Sequence, residues 1–216
     1  MNANTPVSVL LPTSVALPDG WTPAHSERWK RIFAKLLKSE GGYVNNRKDP
    51  GGATKYGISL RFLVIEGRID ANRDGFADFD LNRDGKIDAL DIQLLRPEHA
   101  EALYLRLFFI ETGFWRLPEA MDAALFDLGV NVGTKTAVII LQRSLNRLGP
   151  PPLATDGVLG GKTLRRVFEG LASAPLLRSF RDEAAAHYRF LVGRNGELKG
   201  FLDGWLNRAR ELGRVG

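Results

Sequence analysis

Two carboxylates and a hydroxyl sit close together near the start of this chain. They are Glu40 in Glu40-Gly-Gly-Tyr43, Asp49 in Asp49-Pro-Gly-Gly, and Thr54 in Thr54-Lys-Tyr56-Gly. A carboxylic acid with a raised pKa can protonate a leaving oxygen. A second carboxylate facing it can hold and deprotonate a water, and a hydroxyl can orient that water. This is equipment for cleaving a glycosidic bond. Ser26 to Glu40 reads as an amphipathic helix, with Trp29, Ile32, Phe33, Leu36 and Leu37 on its apolar stripe and Ser26 as N-cap. Four residues beyond Leu36, Glu40 falls in line with that stripe. Gly41 and Gly42 then end the helix. Lost solvation and the negative helix end both push an acid in that place toward a higher pKa. Asp49-Pro50-Gly51-Gly52 is a turn signal, flanked by Tyr43-Val44 and Thr54 to Ile58, so a short hairpin is expected there. Closing it carries Asp49 and Thr54 toward Glu40. Taken singly, Glu40 is also readable as a surface acid, Asp49 as a turn former and Thr54 as a strand residue.

The elements that position these groups are helical. Met121 to Asn131, Lys135 to Leu148, Thr163 to Leu171 and Leu176 to Val192 carry helical patterns. They are broken at Gly133, at Gly149-Pro-Pro-Pro and at the Asp156 to Gly161 turn. Asp127 and Asn131 share an i, i+4 face. They read either as hydrogen-bonding partners of sugar N-acetyl and hydroxyl groups, or as ordinary helix residues. Trp115 and Trp205 are candidate sugar-stacking rings or core residues.

A second signal lies between these regions. Asp80-x-Asn82-x-Asp84-Gly85-Lys86-Ile87-Asp88-x-x-Asp91 reads as a calcium loop. Oxygen side chains stand at positions 1, 3, 5, 9 and 12, Gly85 allows the sharp turn, and Lys86 offers its carbonyl. Asp91 replaces the usual glutamate and is shorter, which predicts looser coordination. Just upstream, Asp70, Asn72, Asp74 and Asp78 begin the same pattern, with Leu81 at the closing position. Calcium is the expected cofactor, structural rather than catalytic. The alternative is a polar Asp/Asn/Gly surface loop.

The motif pair Glu40-Gly-Gly-Tyr and Asp49-Pro-Gly-Gly-Ala-Thr-Lys-Tyr-Gly-Ile resembles the glycoside hydrolase family 108 muramidases of phage endolysins and bacterial prophages. Ala102 to Trp115 resembles the family's Ala-x-x-Tyr helix. Phe126-Asp127-Leu-Gly-Val-Asn131-Val-Gly133, Leu141-Gln142, Asp156-Gly157-Val-Leu-Gly160 and Gly204-Trp205-Leu-Asn207-Arg208 resemble a predicted peptidoglycan-binding module. The resemblance implies that Glu40 is the catalytic acid and that peptidoglycan is the substrate. Asp49 and Thr54 are then the water-handling pair, and Tyr43, Tyr56, Asp127 and Asn131 are candidate substrate contacts. The Glu, Asp, Thr order is also similar to that of phage-type lysozymes, where the threonine stands one residue further from the aspartate.

Bulk properties fit. The 216 residues contain no cysteine, which excludes disulfides and thiolate metal sites. A net charge of +5 suits an anionic polymer, whether cell-wall glycan with its acidic stems or an outer-membrane surface. Nucleic acid is not expected, because no recognition helix with clustered arginine is present. His25, His99 and His187 are isolated, and no zinc, nucleophile-elbow or phosphate-loop motif occurs. Residues 1–24 lack a basic n-region and read as a flexible arm rather than a signal peptide. The expected route is therefore synthesis in the cytoplasm and action on the wall, in the periplasm, after release.

The expected architecture is mainly α: a lysozyme-like, two-lobed helical fold with a small β-hairpin. The muramidase region spans 25–117 with a calcium-loop insert at 65–95, and a helical peptidoglycan-binding lobe spans 118–216. The chain is expected to be a monomer. Two alternatives stand beside hydrolysis: a lytic transglycosylase acting on the same bond, and a non-catalytic calcium-stabilised wall-binding module.

Overall fold

The computed structural model describes residues 15–39, 43, 52–70, 73–169 and 173–214. They divide into two compact units. One takes residues up to Pro18 and Phe33–Arg106; the other takes Asp19–Ile32 and everything from Leu107 onward.

Helix α1 (Pro23–Ser39) forms because its apolar residues recur at helical spacing: Trp29, Ile32, Phe33 and Leu36 are all buried. It starts three residues before the expected N-cap. A proline is tolerated in the first turn, where its missing N–H has no partner to lose. Ser26 is not the cap; its hydroxyl accepts from Trp21 Nε1 at 2.8 Å. Trp21 also packs against Phe109 and Trp115. Residues 19–24 therefore belong to the second unit's body.

In the first unit, β1 (Thr54–Lys55) pairs antiparallel with β2 (Ile58–Ser59), in register Thr54 to Ser59 and Lys55 to Ile58. The turn is Tyr56-Gly57, with φ of 53° and 75°. Two successive left-handed residues match the twist of a tight hairpin. This corrects the expectation that Thr54 to Ile58 forms one arm of a hairpin about Asp49–Gly52: that stretch folds back on itself. Helix α2 (Leu60–Glu66) follows, capped by the Ser59 hydroxyl on Phe62 N–H. After two polar turns come α3 (Ala89–Leu94) and α4 (Pro97–Leu103). The core gathers Phe33, Leu36, Ile58, Leu63, Phe79, Ile92, Leu95 and Leu103. Tyr104–Ile110 then runs as a π-helical segment, a rare geometry within a helix.

The second unit is built round α5 (Met121–Val132), which is apolar on nearly all faces and buries Met121, Leu125, Phe126 and Leu128. Helices α6 (Thr134–Arg147) and α8 (Ser173–Arg194) pack on it, and α9 (Leu202–Glu211) packs on α8. Short α7 (Gly161–Phe168) follows the Asp156 turn. Buried Gln142 on α6 organises that turn. Its Nε2 donates to Asp156 Oδ1 at 2.7 Å, and its Oε1 accepts from Gly157 N–H at 3.0 Å. Among the described residues the fold is mainly α with one small hairpin, as the helical periodicity predicts.

Candidate active site

Glu40 follows Ser39, the last residue of α1. Glu40 and Asp49 lie outside the described residues, as does the Asp49–Gly51 part of the expected turn. What surrounds that segment in the chain is described. Ala53, 1% exposed, accepts Leu60 N–H at 2.8 Å and seats the base of the hairpin in the core. Thr54, half-buried, leads β1. The Tyr56 carbonyl accepts from Tyr104 Oη at 3.2 Å, which fixes the hairpin turn. The Lys55 ammonium lies 5.4 Å from the Tyr56 ring centroid, a cation–π distance.

Tyr43 and Lys55 both reach α3. Gln93 Nε2 donates to Tyr43 Oη at 3.1 Å, and Lys55 Nζ donates to the Gln93 carbonyl at 2.6 Å. Tyr43, Lys55 and Gln93 thus meet at one end of α3, with the flanking hairpin residues Thr54 and Tyr56. Neither Gln93 nor Lys55 is a candidate on sequence grounds, since a glutamine on a short helix carries no motif.

Asp127 and Asn131 lie in the other unit and have protein partners. Arg208 Nε donates to Asp127 Oδ1 at 2.7 Å, and Tyr188 Oη donates to Asn131 Oδ1 at 2.7 Å. Burial pushes the Tyr188 phenol up to about 12, so it stays a donor. Trp205 stacks on Tyr188 at 5.3 Å on the same helix pair, and Phe201 stacks on Trp205 at 5.8 Å. Phe201, 60% exposed, is the ring this stack offers to solvent. Trp115 packs with Trp21 and His25.

The two Asp-rich turns fold alike. Asp70 accepts the N–H groups of Asp74 and Gly75, each at 3.1 Å; Asp80 accepts those of Asp84 at 3.1 Å and Gly85 at 2.7 Å. Arg73 and Arg83 both have φ of 59°, and Gly75 and Gly85 are also left-handed. Asn72 lies outside the described residues, and Asp78 donates its N–H to the Ile69 carbonyl at 2.7 Å. Asn82 Nδ2 donates to Asp84 Oδ2, and Asp84 accepts Lys86 N–H. Asp88 caps α3 on Leu90 N–H, and fully buried Asp91 closes the capping box by accepting Asp88 N–H at 2.7 Å. Its other oxygen accepts Leu81 N–H at 2.7 Å. Burial pushes the Asp91 carboxyl up, and the neighbouring Asp80 charge adds to that. Among the described residues, no three acidic or histidine side chains are gathered as a metal cage.

Residues 33–133 match the family model described as Glycosyl hydrolase 108. Residues 136–210 match the model described as Predicted Peptidoglycan domain. The solved structure of Brucella abortus SagA is similar over 87% of this chain and 92% of that one, with 26% sequence identity and a TM-score of 0.66. No curated protein matches.

Proposed function

We propose that this chain acts as a member of the glycosyl hydrolase 108 family, whose model residues 33–133 match, and that Glu40, Asp49 and Thr54 carry out its reaction. The enzyme is a glycoside hydrolase, an N-acetylmuramidase, and peptidoglycan is its partner. It cleaves the β-1,4 bond between N-acetylmuramic acid and N-acetylglucosamine. The observation that carries the residue assignment is the family match, which spans all three groups and begins on the buried face of α1 that leads to Glu40.

Glu40 protonates the oxygen leaving the cleaved bond. Asp49 steadies and deprotonates a water, which the Thr54 hydroxyl positions. If the two carboxyls stand roughly 6.5–9.5 Å apart, the product is inverted. Tyr43 and Tyr56 flank the reacting segment as substrate contacts. In the second unit, Asp127 and Asn131 shape the wall-binding surface through Arg208 and Tyr188, and Phe201 is the ring that meets sugar. We infer that the enzyme acts at the cell wall, as phage and prophage endolysins do, and the basic balance favours acidic stems and anionic outer-membrane surfaces. No described helix is long and apolar enough to cross a membrane.

Calcium is the proposed structural ion of the Asp80–Asp91 turn, held by Asp80, Asn82, Asp84, the Lys86 carbonyl, Asp88 and Asp91. The donor chemistry fits, because all are hard oxygens. So does the pairing of two buried, neighbouring carboxylates, Asp80 and Asp91, which accept backbone N–H groups. The Asp70 turn, with Asn72, Asp74 and Asp78, is a second candidate.

The test is mass spectrometry of digested peptidoglycan with wild type and Glu40→Gln. Reducing muramic ends with wild type, and a loss of at least roughly a hundredfold in the variant, are expected. Anhydro ends would replace hydrolysis by transglycosylation. Near-normal lysis by folded Glu40→Gln would remove Glu40 from the mechanism.

A further inference from the structure

The turn Asp156-Gly157-Val158-Leu159-Gly160 carries a pattern that neither the proposed chemistry nor the aromatic stack of the second unit uses. Beside it opens a cavity of about 280 Å³, lined entirely from the second unit. Phe114, Val138 and Leu159 are buried and give it an apolar floor, and Val158, 61% exposed, stands at its rim. Two exposed side chains of opposite charge, Lys135 and Asp156, also line it.

Both charges are held in place. Buried Gln142 donates to Asp156 Oδ1 at 2.7 Å, and Val158 N–H donates to the same oxygen at 2.9 Å. Both bonds fall on Oδ1, and Oδ2 keeps its lone pairs for a further donor. These bonds hold the carboxyl below its usual range, and the Lys135 charge adds to that. Gly157 has φ of 76°, and a Cβ there would stand 2.5 Å from Lys135 Cγ and 2.9 Å from the Lys135 carbonyl. Glycine therefore lets the Asp156 turn close on the first turn of α6. Lys135 and Asp156 are brought side by side, yet among the described residues Lys135 closes no ion pair and makes no hydrogen bond.

This charge pattern selects a class of ligand. A neutral sugar uses neither charge. A phosphate gains from Lys135 and is repelled by Asp156. A group with an ammonium and a carboxylate on one carbon uses both, and its carbon chain can lie on the apolar floor. The diamino acid of a wall stem peptide presents such a group until cross-linking acylates its amine.

We propose that this cavity binds the zwitterionic end of an uncross-linked diamino acid in the peptidoglycan stem, Asp156 accepting from its ammonium and Lys135 donating to its carboxylate. The second unit then reads peptide as well as glycan, and favours stems that are not cross-linked. The inference rests on peptidoglycan being the partner.

Calorimetric titration of the full chain tests it, with a soluble stem tetrapeptide containing meso-diaminopimelate and the same peptide acetylated on its free amine. Wild type should bind the free peptide about tenfold more tightly than the acetylated one, the worth of one charge-assisted hydrogen bond. Asp156→Asn keeps an acceptor for Gln142 and Val158 N–H. It should lose about tenfold for the free peptide and bind the two peptides alike, because protein and ligand changes remove one interaction. A turn merely loosened by the substitution would weaken both peptides and keep the preference, which would overturn the assignment. Lys135→Met keeps the packed carbon chain and should weaken both peptides about tenfold. Wild type that does not distinguish the peptides, or unchanged binding in Lys135→Met, would also overturn it. Pelleting with intact sacculi is run alongside. A wild type that pellets with sacculi but ignores the tetrapeptide defeats this cavity alone, whereas one that binds neither also removes peptidoglycan as the partner.

Discussion

Thr54 has an observed backbone role and a proposed catalytic one, and substitution can separate them. Its backbone pairs with Ser59, and its hydroxyl is assigned to the water. Valine keeps the branched shape a strand favours and removes only the hydroxyl. Thr54→Val should therefore fold normally and lose roughly tenfold or more in kcat, while Thr54→Ser retains most activity. Equal kcat in the two variants would take Thr54 out of the chemistry. The residues proposed to react stand out in the sequence because their types and spacing form a motif. Their supports do not. Gln93 bonds Tyr43 from fifty residues away, and Asp127 and Asn131 find their partners, Arg208 and Tyr188, on helices much later in the chain. The i, i+4 spacing put Asp127 and Asn131 on one helix but held no information about what crosses to meet them.

At the scale of elements, periodicity located the helices and turn chemistry misplaced the hairpin. Asp-Pro-Gly-Gly is a far stronger turn composition than Lys-Tyr-Gly-Ile, yet Tyr56 adopts the left-handed conformation that usually goes to Gly or Asn. Tyr104 repays this strain by bonding the Tyr56 carbonyl. The Asp-rich turns were legible as motifs, and their ten-residue recurrence is reproduced in backbone and hydrogen bonds. What the pattern did not reveal is that Asp88 and Asp91 also cap α3. An ion at Asp80–Asp91 would bind only the folded turn, stabilising it by about 2.7 kcal/mol at a hundredfold excess over Kd. For a chain of this size the melting temperature should rise roughly 5–10 °C with calcium and fall back with chelator. Magnesium, which demands octahedral geometry, should substitute poorly. Asp80→Ala should abolish the shift. A melting curve indifferent to calcium and chelator would leave the turn as a polar loop closed by its own amides.

Among the described residues, His99 and Asp122 are buried titratable groups with opposite pH responses, one in each unit. Burial holds the His99 imidazole down to about 4, and its Nδ1 accepts Arg96 N–H. Neutral in the fold, it contributes stability that is full above its ordinary value near 6.5 and is lost as pH falls toward 4. Burial pushes the Asp122 carboxyl up to about 6, although Arg28 Nε at 3.3 Å pulls it back in part. Ionising it costs stability as pH rises from near 4 through 6, and the cost is constant above that. Each effect is worth at most about 3 kcal/mol. His99→Asn keeps an acceptor for Arg96, and Asp122→Asn keeps one for Ala123 N–H, so each removes the titration with little change in packing. Calorimetry between pH 4 and 7 should show His99→Asn gaining on wild type as pH falls. Asp122→Asn should gain as pH rises toward 6 and then hold a constant offset. Parallel pH profiles for wild type and both variants would show that neither group changes its proton affinity on folding.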